Sequence, residues 1–78
     1  RFAQAWYNRG FFLLERGLAE DAVDCFDNAQ RLGMRNPELL EEKVRALEEV
    51  GREEEAEEVR QRAEELREEA EQAMVEEY

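Results

Sequence analysis

The sequence predicts an all-α fold of four antiparallel helices, arranged as two helix–turn–helix units with a long C-terminal helix. The first observation is the stretch between Gly17 and Gly33, where apolar residues recur at spacings of one, three and four: Ala22, Val23, Phe26, Ala29 and Leu32. This spacing places them on one side of a helix, and such a stripe needs partner helices. The second observation is a repeat in the sequence. A shift of 34 residues moves Gly17 onto Gly51, and Ala22 and Ala29 onto Ala56 and Ala63.

The first helix is predicted over residues 3–15. Its expected inner stripe consists of Phe2, Trp6, Gly10, Leu13 and Leu14. A glycine inside a helix costs about 1 kcal/mol relative to alanine, which is tolerable where a second helix crosses too closely for a side chain. Arg16 and Gly17 then end the helix, because a basic residue suits its last turn and a glycine suits its left-handed cap.

The second helix is predicted over residues 19–32, with Gly33 at its C-terminal end. Asn36 and Pro37 are the clearest start signal in the chain, since Asn is a preferred N-cap and Pro is favoured at the first helical position. The third helix is therefore predicted over residues 37–50. Its expected inner stripe consists of Leu40, Val44 and Leu47.

Residues 52–78 contain no Gly or Pro and predict one long helix. Apolar residues alternate steps of three and four along it: Ala56, Val59, Ala63, Leu66, Ala70 and Ala73. At 1.5 Å per residue this helix would reach roughly 40 Å, about twice the length of each of the others. Three outcomes are open for its last two turns. They extend past the other helices, pack on a second copy, or break off as a short fifth helix.

The pattern resembles the tetratricopeptide repeat, a helix–turn–helix unit of about 34 residues. Residues 3–36 match the repeat at Trp6, Gly10, Gly17, Ala22, Phe26, Ala29 and Leu32, and residues 37–70 match it at Leu40, Leu47, Gly51, Ala56, Ala63 and Leu66. The resemblance implies a single domain over residues 1–78, with two units and a helical extension over residues 71–78. It also implies a protein–protein interaction module that binds a peptide on a concave face.

The net charge of −11 comes entirely from the second half of the chain, because the first 37 residues balance five Arg with five carboxylates. A protein of this charge repels phosphate backbones, so we expect no nucleic-acid partner. No apolar run approaches the roughly 18–20 residues that span a bilayer, so we expect no membrane partner. The single Cys25 forms no internal disulfide and no signal-peptide pattern is present, which predicts a cytoplasmic-type, reducing environment.

Four residue types are missing from the chain: Ser, Thr, Ile and His. Ser is among the commonest residues in natural domains, whereas Glu, Arg, Ala and Leu, which fill the positions here, are the strong helix formers chosen for designed helices. The composition therefore favours a designed or recombined helical scaffold with no evolved biochemical activity. The alternative is the peptide-binding module that the resemblance implies.

No residue pattern points to catalysis, so we expect neither an enzyme nor a cofactor. Without a His, no Cys–His pair can activate Cys25, which lies beside the inner stripe of the second helix and is expected to line the core. The helical spacing of Asp21, Asp24 and Asp27 does not reproduce the looped calcium motif and predicts a solvated edge with no metal. The Glu clusters of the last helix predict a solvated face as well, since glycoside hydrolysis needs two carboxylates across a cleft.

The candidate site is the concave face that the resemblance implies. The first helix would present Gln4, Tyr7, Asn8 and Phe11 there, and the third helix Glu38, Glu41, Arg45 and Glu48. The family's carboxylate clamp uses Lys, Arg and Asn at places held here by Tyr7, Phe11, Glu41 and Arg45, of which only Arg45 is basic. We therefore expect any peptide or protein ligand to be basic or aromatic. No partner is required, and the aromatic residues could instead pack within the fold or in a homodimer formed through exposed helix faces.

Overall fold

The computed structural model describes residues 2–76, with side chains described through residue 74, and contains four α-helices. α1 spans Phe2–Glu15, α2 spans Ala19–Arg31, α3 spans Pro37–Glu49 and α4 spans Glu53–Glu76. The predicted all-α fold and its four helices are confirmed, and no helix end within residues 2–76 differs from its prediction by more than one residue. Residues 1, 77 and 78 lie outside the described residues, so the end of the predicted extension 71–78 is not covered.

Glycines end α1, α2 and α3, and an asparagine begins α3. Gly17, Gly33 and Gly51 have φ angles of 81°, 102° and 83°, in the left-handed region that glycine adopts without a Cβ penalty. At the start of α3, the side-chain oxygen of Asn36 accepts a hydrogen bond from the backbone N–H of Leu39 at 2.9 Å. The predicted cap and glycine stops are therefore confirmed.

Four of the five backbone hydrogen bonds of the turn between α1 and α2 recur in the turn between α3 and α4. The N–H of Leu18 donates to the carbonyl of Leu13 at 2.9 Å, and 34 residues later the N–H of Arg52 donates to the carbonyl of Leu47 at 2.9 Å. Helices end at residues 15 and 49 and begin again at residues 19 and 53. The 34-residue repeat in the sequence thus corresponds to a repeated backbone geometry.

Ion pairs show how α3 and α4 lie against each other. Glu41 pairs with Arg67, and Glu48 pairs with Arg60. Residue numbers therefore rise along α3 as they fall along α4, which is the order that two helices of opposite direction produce.

The core is centred on α2, which packs against both α1 and α3. The largest fully buried side chains are Val23, Phe26, Leu39 and Leu47. Gly10 is buried where α1 passes Phe26, and a Cβ added there would lie 2.6 Å from the Cε1 atom of the Phe26 ring. The close approach of α1 to α2 therefore depends on a glycine, as its place in the first helix predicts.

Two residues of the predicted inner stripes are at the surface, and those predictions are wrong. Phe2 is 76% exposed because it begins α1, and Leu32 is 53% exposed because it is the C-cap of α2, where the chain already turns away. Conversely, Leu39 and Ala46 are fully buried although they lie outside the stripe predicted for α3. The reason is that α3 is covered by α2 as well as by α4.

α4 continues as one helix to Glu76. Ala56 and Ala63 are buried on it, whereas Ala70, Ala73 and Met74 are exposed. The predicted break into a short fifth helix is therefore wrong for the described part of the chain, and within one copy the last turns of α4 extend past the other helices. No helix among residues 2–76 is both long enough and apolar enough to cross a membrane.

Candidate peptide-binding surface

α1 and α3 lie side by side and form one surface, called here the α1–α3 surface. At one end the ring of Tyr7 lies close enough to Glu38 and Glu42 for their charges to act on its hydroxyl. At the other end Glu15 of α1 bonds to Arg45 of α3. Residue numbers rise together along the two helices, which is the order that two helices of the same direction produce.

Tyr7 joins this surface to the core. Its ring is half-buried, and its centroid lies 5.9 Å from that of the fully buried Phe26, with the planes tilted by 44°. Burial raises the pKa of the Tyr7 phenol above its ordinary value, and the carboxylates of Glu42 and Glu38 raise it further. The phenol is therefore neutral at physiological pH and able to donate a hydrogen bond.

Arg45 is the basic group predicted for the site, and acidic neighbours surround it. Its Nη2 atom lies 3.0 Å from Glu15, its Nη1 atom 3.3 Å from Glu42, and its Nε atom 3.9 Å from Glu49. The hydrogen bond with Glu15 is the main cause of a raised pKa at Arg45. A peptide carboxylate would have to displace these carboxylates, which disfavours the family's clamp.

The remaining predicted residues of α1 are placed as expected on its exposed side. The Nε2 atom of Gln4 donates a hydrogen bond to the Oδ1 atom of Asn8 at 2.9 Å, and both side chains are exposed. Phe11 is 42% exposed and stands one helical turn after Tyr7. Together they offer a ligand two amide groups and two aromatic rings.

Glu41 and Glu48 do not join the α1–α3 surface. The Nε atom of Arg67 donates to Glu41 at 2.7 Å, and Arg60 donates to Glu48, so both carboxylates are directed toward α4. Glu42, which the sequence reasoning missed, takes the place expected for Glu41. The sequence does contain a pattern that predicts this position of Glu42. Residues recur at spacings of four, three and four along one side of α3: Glu38, Glu42, Arg45 and Glu49.

Of the other candidates for chemistry, Cys25 is buried and Asp27 is paired with a basic side chain. Cys25 is 4% exposed, and burial raises the pKa of its thiol although the charge of Arg9 lowers it. Asp27, one of the three aspartates of α2, pairs with the ammonium of Lys43 at 2.6 Å. Within the described residues, no group of acidic side chains and Cys is arranged to hold a metal ion.

The fold and the surface together define a small four-helix protein with a repeated turn and an acidic face between its first and third helices. Comparison of the chain with protein-family models, curated proteins and solved structures found no match.

Proposed function

We propose that this chain is a designed or recombined helical scaffold with no evolved biochemical activity. The observation that supports it best is the use of its basic side chains between helices. Four basic residues of the helices bond to an acidic residue of another helix, and Arg52, in the turn between α3 and α4, bonds to Glu20 of α2. The four pairs are Lys43 with Asp27, Arg45 with Glu15, Arg60 with Glu48 and Arg67 with Glu41. Caps, glycine stops and surface charges all favour the same fold, which is the consistency expected of a sequence chosen for its structure.

A second proposal is a tetratricopeptide-type module that binds a peptide on the α1–α3 surface. The repeat of helix ends and turn hydrogen bonds after 34 residues favours it. Three carboxylates, those of Glu15, Glu42 and Glu49, surround the guanidinium of Arg45 on this surface, and Glu38 adds a fourth near Tyr7. The ligand would therefore be basic, with aromatic side chains that stack on the exposed part of Phe11.

Two measurements distinguish the proposals. A designed scaffold is expected to unfold well above the range of about 45–65 °C typical of natural domains, as followed by circular dichroism. It is also expected to show no saturable binding on an array of basic and aromatic peptides.

Saturable binding that is lost in Phe11→Ala and in Glu15→Lys would support the module and overturn the scaffold proposal, because the second change places a positive charge where the basic ligand would bind. Glu65→Lys is the matched control, because Glu65 is exposed on α4 and pairs with its neighbour Arg62 at 3.1 Å. Binding that is lost equally in the control would indicate non-specific attraction and leave the scaffold proposal standing.

A further inference from the structure

A cleft of about 280 Å³ lies where α2, the turn after it, α3 and α4 meet. It shares no lining residue with the α1–α3 surface. Its lining side chains divide into an apolar and a polar group: Met34, Leu40 and Leu66, and Gln30, Arg35 and Arg62. The cleft therefore offers a ligand both hydrocarbon contacts and N–H donors.

The charge of this lining is opposite to that of the whole chain. Within the described residues, Arg35 and Arg62 are the only charged groups that line the cleft, although the net charge of the chain is −11. Three other clefts each have carboxylates in their linings, among them Glu53 and Glu54, Glu41 and Glu64, and Asp21 and Asp24. The nearest charges therefore favour an anion in this cleft.

Both guanidinium groups keep N–H donors for a ligand. The Nη2 atom of Arg35 lies 3.9 Å from Glu69, and both side chains are mostly exposed, so this pair is weak. The Nη1 atom of Arg62 bonds to Glu65 at 3.1 Å, one turn further along α4. A guanidinium has five N–H donors, so an anion can bind without displacing either carboxylate. Arg45 differs, because all three of its nitrogens lie beside carboxylates.

Gln30 adds an uncharged donor whose orientation is fixed. The Nζ atom of Lys43 donates to its Oε1 atom at 2.9 Å, and Asp27 holds that ammonium at 2.6 Å. Because an ammonium only donates, the amide oxygen stays on the side of Lys43. The Nε2 atom lies on the other side of the amide, and it has no hydrogen-bond partner among the described residues. Its N–H groups can therefore donate to a carboxylate.

We propose that this cleft binds a small organic monocarboxylate with an apolar body. The carboxylate accepts charge-assisted hydrogen bonds from the two guanidinium groups and a further one from the Gln30 amide. The hydrocarbon part covers Met34 and Leu66, which are only half-buried in the protein alone. The volume is slightly below the range of about 300–1,000 Å³ that is usual for ligand pockets, so the body is a single ring or a short chain.

Titration with hydrocinnamate, followed by two-dimensional amide NMR of the isotope-labelled protein, tests the proposal. The amide signals of Gly33, Met34 and Arg35 should shift saturably, with a Kd between about 0.1 and 5 mM, as expected for so small a ligand. Hydrocinnamide has the same shape without the charge, and acetate has the charge without the ring. Each should bind at least about tenfold more weakly. The absence of saturable shifts up to about 20 mM hydrocinnamate, or equal binding of the amide, overturns the proposal.

Arginine variants locate the binding. Arg35→Gln and Arg62→Gln should each weaken it by about threefold or more, and the double variant by about tenfold or more. Arg31→Gln is the matched control, since it removes the same charge from an exposed residue of α2 that bonds to Asn28 at 2.6 Å and does not line the cleft. All three arginines are exposed, and circular dichroism checks that each variant is folded. Equal weakening in the control, or unchanged binding in the double variant, contradicts a site in this cleft.

Discussion

Replacing Gly10 with alanine should destabilise the fold, although alanine is favoured inside a helix by about 1 kcal/mol. The new Cβ would lie 2.6 Å from Cε1 and 2.8 Å from Cδ1 of Phe26, and 3.1 Å from the Cβ of Cys25. The shortest of these distances is about 0.8 Å inside an ordinary van der Waals contact. Because the Phe26 ring is fully buried, it cannot move aside unless α1 or α2 shifts.

Overpacking of this kind costs about 1–3 kcal/mol, and the helix propensity of alanine offsets about 1 kcal/mol of it. The free energy of unfolding should therefore fall by up to about 2 kcal/mol. Urea unfolding followed by circular dichroism and by the fluorescence of Trp6 measures this change. A fall of 1 kcal/mol would lower the Tm by roughly 4–8 °C in a domain of this size.

The steric cause can be separated from any other effect in a Phe26→Leu background. Leucine lacks the Cε1 atom, and its Cδ1 atom can rotate away from the 2.8 Å contact, so Gly10→Ala should cost less there than in the original chain. The double-mutant cycle then gives the interaction energy between the two positions. If Gly10→Ala stabilises both backgrounds equally, the close contact with Phe26 does not explain why glycine stands at this position.

Three further predictions each depend on the surroundings of one side chain. Asn36→Ala should lower the free energy of unfolding by about 1 kcal/mol in urea titrations, because the N–H of Leu39 loses its acceptor. Cys25 should react with a thiol reagent far more slowly in the native protein than in denaturant, since the thiol is buried and its pKa is raised. Tyr7 should ionise above its ordinary pKa of about 10 in an ultraviolet absorbance titration. Because folding raises the pKa of Tyr7, its contribution to stability is complete below a pH of about 10 and is lost as the pH rises through the pKa of the folded state. Glu42→Gln should lower the pKa of Tyr7 relative to the original chain, but burial should still hold it above the ordinary value.

Controls for these changes are present in the chain. Asn8→Ala removes an exposed asparagine that caps no helix, so a loss of stability equal to that of Asn36→Ala would contradict the capping argument. The Tyr78→Phe background leaves Tyr7 as the sole tyrosine in the titration. Native-state labelling of Cys25 at the denatured rate would mean that α1 and α2 separate readily.

The helices could be predicted from local signals alone. Apolar spacing, positive-φ glycines and the Asn36 cap act within one or two turns, so the sequence contains what determines them. Burial at the ends of helices depends instead on where the neighbouring helix stops. This is why the exposure of Phe2 and Leu32 was missed, although both fit the periodicity of their helices.

The candidate surface was predicted in part. Tyr7 and Arg45 do lie between α1 and α3, but Glu41 is replaced by Glu42. One residue along a helix is a rotation of about 100°, and the rotation of α3 relative to α1 is set by packing on α2. Glu15, which bonds to Arg45, lies 30 residues away along the sequence. Several carboxylates are within reach of the long Arg45 side chain, so its partner depends on how the helices pack.

The order of packing also sets how the chain can fold. Within residues 2–76 each helix packs mainly against the next one along the sequence, and the contact between α1 and α3 is the only one that skips a helix. Little loop-closure entropy is then lost before favourable contacts form, and helical proteins with such local topologies fold in microseconds to milliseconds. The turns at Gly17 and Gly51 share four backbone hydrogen bonds, so we expect that either helix pair can form first and that the bond from Arg45 to Glu15 forms when the two pairs dock.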